Sequence, residues 1–122
     1  MAVIVNFSPT AVDLTGIRAG DRNRMRIVLK SGGASWNLTN HTVAAQARLT
    51  PNGTEVLTAE VFMTDPVNGI VDLEWPGDDL FTLMGLLPAW RGVWDLQVTP
   101  NGQEPLTVAA GRFTAEMDVT RP

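Results

Sequence analysis

From residue 22 onward, apolar side chains recur at every second position in six separate runs, and this period restricts the fold more than any other feature. Met25, Ile27 and Leu29 alternate with Arg24, Arg26 and Val28. Val43, Ala45, Ala47 and Leu49 form a second set, and Leu57, Ala59, Val61 and Met63 a third. Val71, Leu73 and Trp75 are the fourth, Trp94, Leu96 and Val98 the fifth, and Phe113, Ala115, Met117 and Val119 the last. Side chains on a strand point to opposite faces in turn, so each set lines one buried face. One polar face per strand argues antiparallel sheets that are solvated outside, because parallel sheets are covered on both sides.

The breaks between these runs are turn-forming. Ser31-Gly32-Gly33, Pro51-Asn52-Gly53, Pro66-Val67-Asn68-Gly69 and Pro100-Asn101-Gly102 carry the residues that turns require. Thr50-Pro51-Asn52-Gly53 and Thr99-Pro100-Asn101-Gly102 each separate two alternating runs and predict two tight hairpins. One stretch departs from the period. Asp78 and Asp79 precede Leu80, Leu83 and Met84, and Gly85 follows, which predicts a short helix near 78–84 with those three apolar residues packed down. Leu106 and Val108 have even parity but Phe113 and Met117 odd, so the last strand needs an extra residue near Ala109-Ala110-Gly111 or a crossing between sheets. Thr10 to Ile17 is expected to be a first strand of the body, with Val12 and Leu14 inward. The spacing describes an all-β sandwich of about seven to eight strands, a single domain over residues 1–122.

Composition narrows the chemistry. The 122 residues contain no cysteine, which removes disulfides, thiolate metal sites and cysteine nucleophiles. His41 is the only histidine. The net charge of −4 and a single lysine argue against nucleic-acid binding, which needs clustered positive charge. No apolar run approaches the length of a membrane helix, and the N-terminus lacks the basic and small-residue features of a signal peptide. The sequons at Asn37, Asn40 and Asn52 are therefore read as loop asparagines. Catalysis finds no support: no Gly-x-Ser-x-Gly elbow or phosphate loop occurs, and the three serines all lie in turns. Asp72, Glu74, Asp78 and Asp79 do not form a calcium loop, and a helix N-terminus accounts for the last two. No cofactor, metal or catalytic residue is expected.

What remains are candidate contact surfaces. Arg22, Arg24 and Arg26 share one strand face and suit either an acidic partner surface or a solvated outer face. Trp75 and Trp94 have core parity. Trp36 and Trp90 lie near strand ends, where an exposed aromatic would stack on a sugar or anchor a protein; cover by a neighbouring loop is the alternative. Val3, Ile4, Val5 and Phe7 are apolar on both faces, so residues 1–9 form an N-terminal arm or edge strand. Val3, Val5 and Phe7 would then meet a neighbouring chain's sheet edge, or complete the chain's own sandwich.

The order of these elements resembles a known family. Gly20-Asp21, Trp36-Asn37-Leu38-Thr39, Asp65-Pro66-Val67-Asn68-Gly69-Ile70-Val71 and Gly92-Val93-Trp94 follow one another across residues 16 to 119. The set resembles the N-terminal immunoglobulin-like domain of siphophage upper baseplate proteins and related minor tail proteins. Asn37 stands where that family has aspartate, Asn40 where it has glycine, and Trp94 where it has tyrosine. The resemblance implies an immunoglobulin-like antiparallel β-sandwich and a structural, non-enzymatic place in a virion assembled in bacterial cytoplasm. It also implies partners among other virion proteins: the tail hub, the baseplate or neighbouring copies in a homo-oligomer. A capsid decoration protein is the alternative within that class. A carbohydrate-binding module using Trp36 and Trp90 is the alternative outside it. The chain ends at Pro122, so the expectation is a free-standing sandwich held by its neighbours.

Overall fold

The computed structural model describes residues 2–6, 10–19, 23–85 and 87–117. It is an all-β, immunoglobulin-like sandwich of two packed sheets with one short helix. The strands are β1 (Ala2–Asn6), β2 (Thr10–Ala11), β3 (Leu14–Ala19), β4 (Asn23–Ser31), β5 (Ala34–Ser35), β6 (Thr42–Arg48), β7 (Glu55–Thr58), β8 (Glu60–Asp65), β9 (Ile70–Trp75), β10 (Ala89–Thr99) and β11 (Leu106–Met117). Sheet one runs β1-β4-β9-β8, with β5 on β4. Sheet two runs β2-β11-β10-β6-β7, with β3 also on β11. The body is antiparallel, as the alternation requires. The N-terminal segments add in parallel: β1 on β4, and β2 and β3 on β11.

The core lies between the sheets, and its centre is aromatic. Phe113 meets the rings of Trp75 at 4.9 Å and Trp90 at 5.8 Å, and Trp75 meets Trp94 at 6.4 Å, all edge to face. That geometry sets the positive ring edge against the negative ring face. Trp94 donates its indole Nε1–H to the Val12 carbonyl at 2.7 Å, which ties the turn between β2 and β3 to β10. Gly111 makes that approach feasible, because a Cβ there would collide with the Val12 carbonyl. The helix α1 spans Gly77–Met84 and buries Leu80 and Met84 beneath it, with Leu83 partly buried. Asp78 and Asp79 occupy its first turn, where the helix dipole favours negative charge, and Gly85 ends it at φ 57°.

Both expected hairpins form, over the loops 49–54 and 100–105. Each loop is six residues long, counted from one strand end to the next, and so wider than a two-residue turn. The extra residue in the last strand is a β-bulge within one sheet. Leu96 pairs with Ala109 but Gln97 with Thr107, which leaves Val108 unmatched just before the expected place. Four expectations need correction. The run from Leu57 to Met63 is two strands, β7 in sheet two and β8 in sheet one, and the chain crosses at Ala59, whose N–H still bonds Ala45 of sheet two at 2.9 Å. Met63 is 39% exposed, because the register of β8 shifts between Phe62 and Asp65. Leu49 is 63% exposed, since β6 ends at Arg48 and Leu49 belongs to the loop. The strand expected over Thr10 to Ile17 is interrupted at Val12 and Asp13. Val119 lies outside the described residues.

Candidate functional site

The outward face of sheet one carries a buried carboxylate. On β9, Val71, Leu73 and Trp75 point into the core, and Ile70, Asp72 and Glu74 point out. On β4, Arg24 and Arg26 point out, and the register sets Arg26 beside Asp72. Arg26 donates Nε–H to Asp72 Oδ1 at 3.0 Å, and Arg24 donates an Nη2–H to Oδ2 at 3.2 Å. From β8, the Thr64 hydroxyl donates to Oδ2 at 2.9 Å, and the Arg24 guanidinium lies 4.2 Å from the centre of the Phe62 ring. Under this cover Asp72 is only 6% exposed, although it stands on the solvent side of its sheet.

The electrostatics follow from that cover. The hydrogen bond from Arg26 pulls the Asp72 carboxyl down, burial pushes it up, and Thr64 and Arg24 pull it down further, to about 2. Asp72 in turn holds the Arg26 guanidinium above its ordinary value through the same hydrogen bond. Both arginines are about half exposed. A carboxylate held this low is a fixed negative charge at neutral pH and a poor proton acceptor, so the cluster braces three strands and offers no general base.

Sheet two has its own outward feature, a groove of about 460 Å³ bounded by Asp13, Arg48, Pro51, Val93, Asp95 and Arg112. Arg48 donates to Asp95 at 3.0 Å and to Gln46 at 2.6 Å, so its charge is spent inside the face. Among the described residues no group of three His, Cys, Asp or Glu could hold a metal ion. His41 packs edge-on against Trp36 at 6.2 Å, and its Nδ1 lies 2.9 Å from the Thr39 carbonyl in a loop.

The structure brings together only part of the residue set expected from the sequence. Arg24 and Arg26 share a face, as expected, but they are engaged by the chain's own Asp72. Arg22 and Phe7 lie outside the described residues. Val3 and Val5 stand in β1, in register with Ile27 and Leu29 of β4, so the N-terminal strand completes the chain's own sheet one. Trp36 is partly buried against the core. Trp90 is 7% exposed and packed on Phe113, which corrects the reading of it as an exposed aromatic. Its even parity with Trp94, Leu96 and Val98 carried that placement. Trp36 follows β5 of sheet one and Trp90 belongs to β10 of sheet two, so they share no stacking platform. The buried cluster at Asp72 was not anticipated, and its signal was an acidic residue at an outward position beside the arginine-bearing run that forms β4.

No family model and no curated protein matches the chain. Eleven solved chains are similar to it. One is the N-terminal domain of ORF48 of phage TP901-1, at 9% identity and a TM-score of 0.49, over 96% of this chain and 96% of that chain. Another is the bradyzoite-specific antigen BSR4 from Toxoplasma gondii, at 15% identity and a TM-score of 0.38, over 91% of this chain and 44% of that chain. At these values neither likeness assigns a role.

Proposed function

We propose that the chain is a non-enzymatic structural protein of a bacteriophage virion, a minor tail or baseplate component that works as a single sandwich domain through protein–protein contacts. The observation that carries this reading is what the residues of the family-like motif do. Gly69 adopts φ 74° at the end of the Pro66–Asn68 turn, where a Cβ would collide with the Leu29 carbonyl and stand 2.8 Å from that of Trp36. Gly92 allows the backbone to pass the Trp90 ring and the Arg48 carbonyl, and Trp94 anchors the Val12 turn. Gly69, Gly92 and Trp94 thus build the sandwich, and Asp72, the one buried carboxylate among the described residues, is locked in ion pairs. Both features suit a scaffold whose work lies in its surfaces.

Quantitative mass spectrometry of purified particles tests the reading. Its presence at low copy number in multiples of three supports a tail-tip place, roughly hundreds of copies would move it to the shell, and absence from the particle overturns the virion role.

A further inference from the structure

Sheet one ends on β1 at one side and on β8 at the other, and among the described residues no strand pairs with either outer edge. An unpaired edge presents a row of free backbone N–H and C=O groups. The two edges are unlike in charge. On the β8 side, the strand carries Glu60 and Asp65 and no lysine or arginine. At the opposite side β1 is uncharged, and its neighbour β4 projects Arg24, Arg26 and Lys30. Arg24 and Arg26 face Asp72 and Glu74 of β9, which balance them, and Lys30, in register with Asn6 of β1, adds one further positive charge on that side. Each edge also exposes apolar surface: Ile4 on β1 and Met63 on β8.

From this we infer that the acidic β8 edge of one copy pairs with the β1 edge of a second copy, extending sheet one from protomer to protomer. The strand directions fix the geometry. β1 is parallel to β4, β4 is antiparallel to β9, and β9 is antiparallel to β8, so β1 and β8 point the same way. A neighbour repeating the sheet therefore meets β8 with a parallel β1. The contact joins two different patches, so it is heterologous and closes into a ring or runs on as a filament. Backbone hydrogen bonds supply affinity, and the opposed charges supply register and direction.

The inference names the partner for the protein–protein role proposed above, and it is tested on the purified full chain without any virion. Sedimentation velocity over a concentration series is expected to show reversible association. Ile4→Glu places a carboxylate on the edge that faces acids, and Glu60→Lys places a cation on the edge that faces bases. Each variant alone should weaken association about tenfold or more. An equimolar mixture should associate more strongly than either variant alone, because the β8 edge of the Ile4→Glu copy and the β1 edge of the Glu60→Lys copy are both intact. Both positions are exposed, so circular dichroism and melting should match the parent chain; if either fails to fold, Ala2→Glu and Met63→Lys replace them on the same strands. A parent chain that stays monomeric, variants that associate like the parent, or a mixture that stays monomeric would each overturn the edge pairing while leaving the virion role untouched. Absence from purified particles would do the reverse.

Discussion

Replacing Asp72 by asparagine tests whether the cluster on sheet one stabilises the fold through charge. Asparagine keeps the size of the side chain and can still accept from Thr64, but it removes the negative charge that two arginines face. The carboxyl is lowered from 3.8 to about 2. At about 1.4 kcal/mol per unit, this bounds the contribution at about 2 kcal/mol. The arginines are half exposed, and solvent screening reduces the expected cost of Asp72→Asn to about 1 kcal/mol at pH 7. A group whose pKa is depressed by folding contributes its stability above the unfolded value and loses it as the pH falls through the folded one. The gap between parent and variant in urea unfolding should therefore hold from pH 7 to about 4 and shrink to about half a kilocalorie or less at pH 2. High salt at pH 7 should narrow it as well. A gap of the same size at pH 7 and pH 2 would show that packing, not charge, is what asparagine disturbs, and the electrostatic account would fail.

Two further outcomes follow from the core. Gly111→Ala drives a Cβ into the Val12 carbonyl and should cost about 2–4 kcal/mol in thermal or urea unfolding, with loosened amide-exchange protection in β2 and β3; an unchanged midpoint would refute the close approach. Trp94→Phe removes the donor to Val12, whereas the Trp75 Nε1–H is buried with no partner among the described residues, so Trp94→Phe should cost about 1 kcal/mol more than Trp75→Phe; equal losses would refute that assignment.

Strand identity was legible wherever a strand stays in one sheet. β4, β6, β9 and β10 follow the alternation closely, and Trp75, Trp94 and Phe113 stand where parity puts them. The crossing at Ala59 was not legible, and the reason is geometric. The core lies between the sheets, so a chain passing from one to the other keeps the same parity pointed inward: Leu57 before the step and Ala59 at it are buried, and Val61 after it is partly buried. The alternation argues for antiparallel neighbours throughout, which holds for the body but hides the parallel docking of β1, β2 and β3. The Asp72 cluster depends on which strands are neighbours. Arg26 and Asp72 are 46 residues apart, and only the pairing of β4 with β9 joins them.

The parallel pairing of β2 and β3 with β11 has a consequence for the order in which the chain can mature on a ribosome. Sheet one needs nothing beyond Trp75, but β10 and β11, the centre of sheet two, belong to the last part of the sequence. The 42 residues from 76 to 117 must be made before the inner faces close on each other. At about 5–20 residues per second, the apolar face of sheet one waits roughly 2–8 s for its cover. A nascent chain arrested just past Trp75 should accordingly be cut readily by protease, and one extended beyond Met117 should resist.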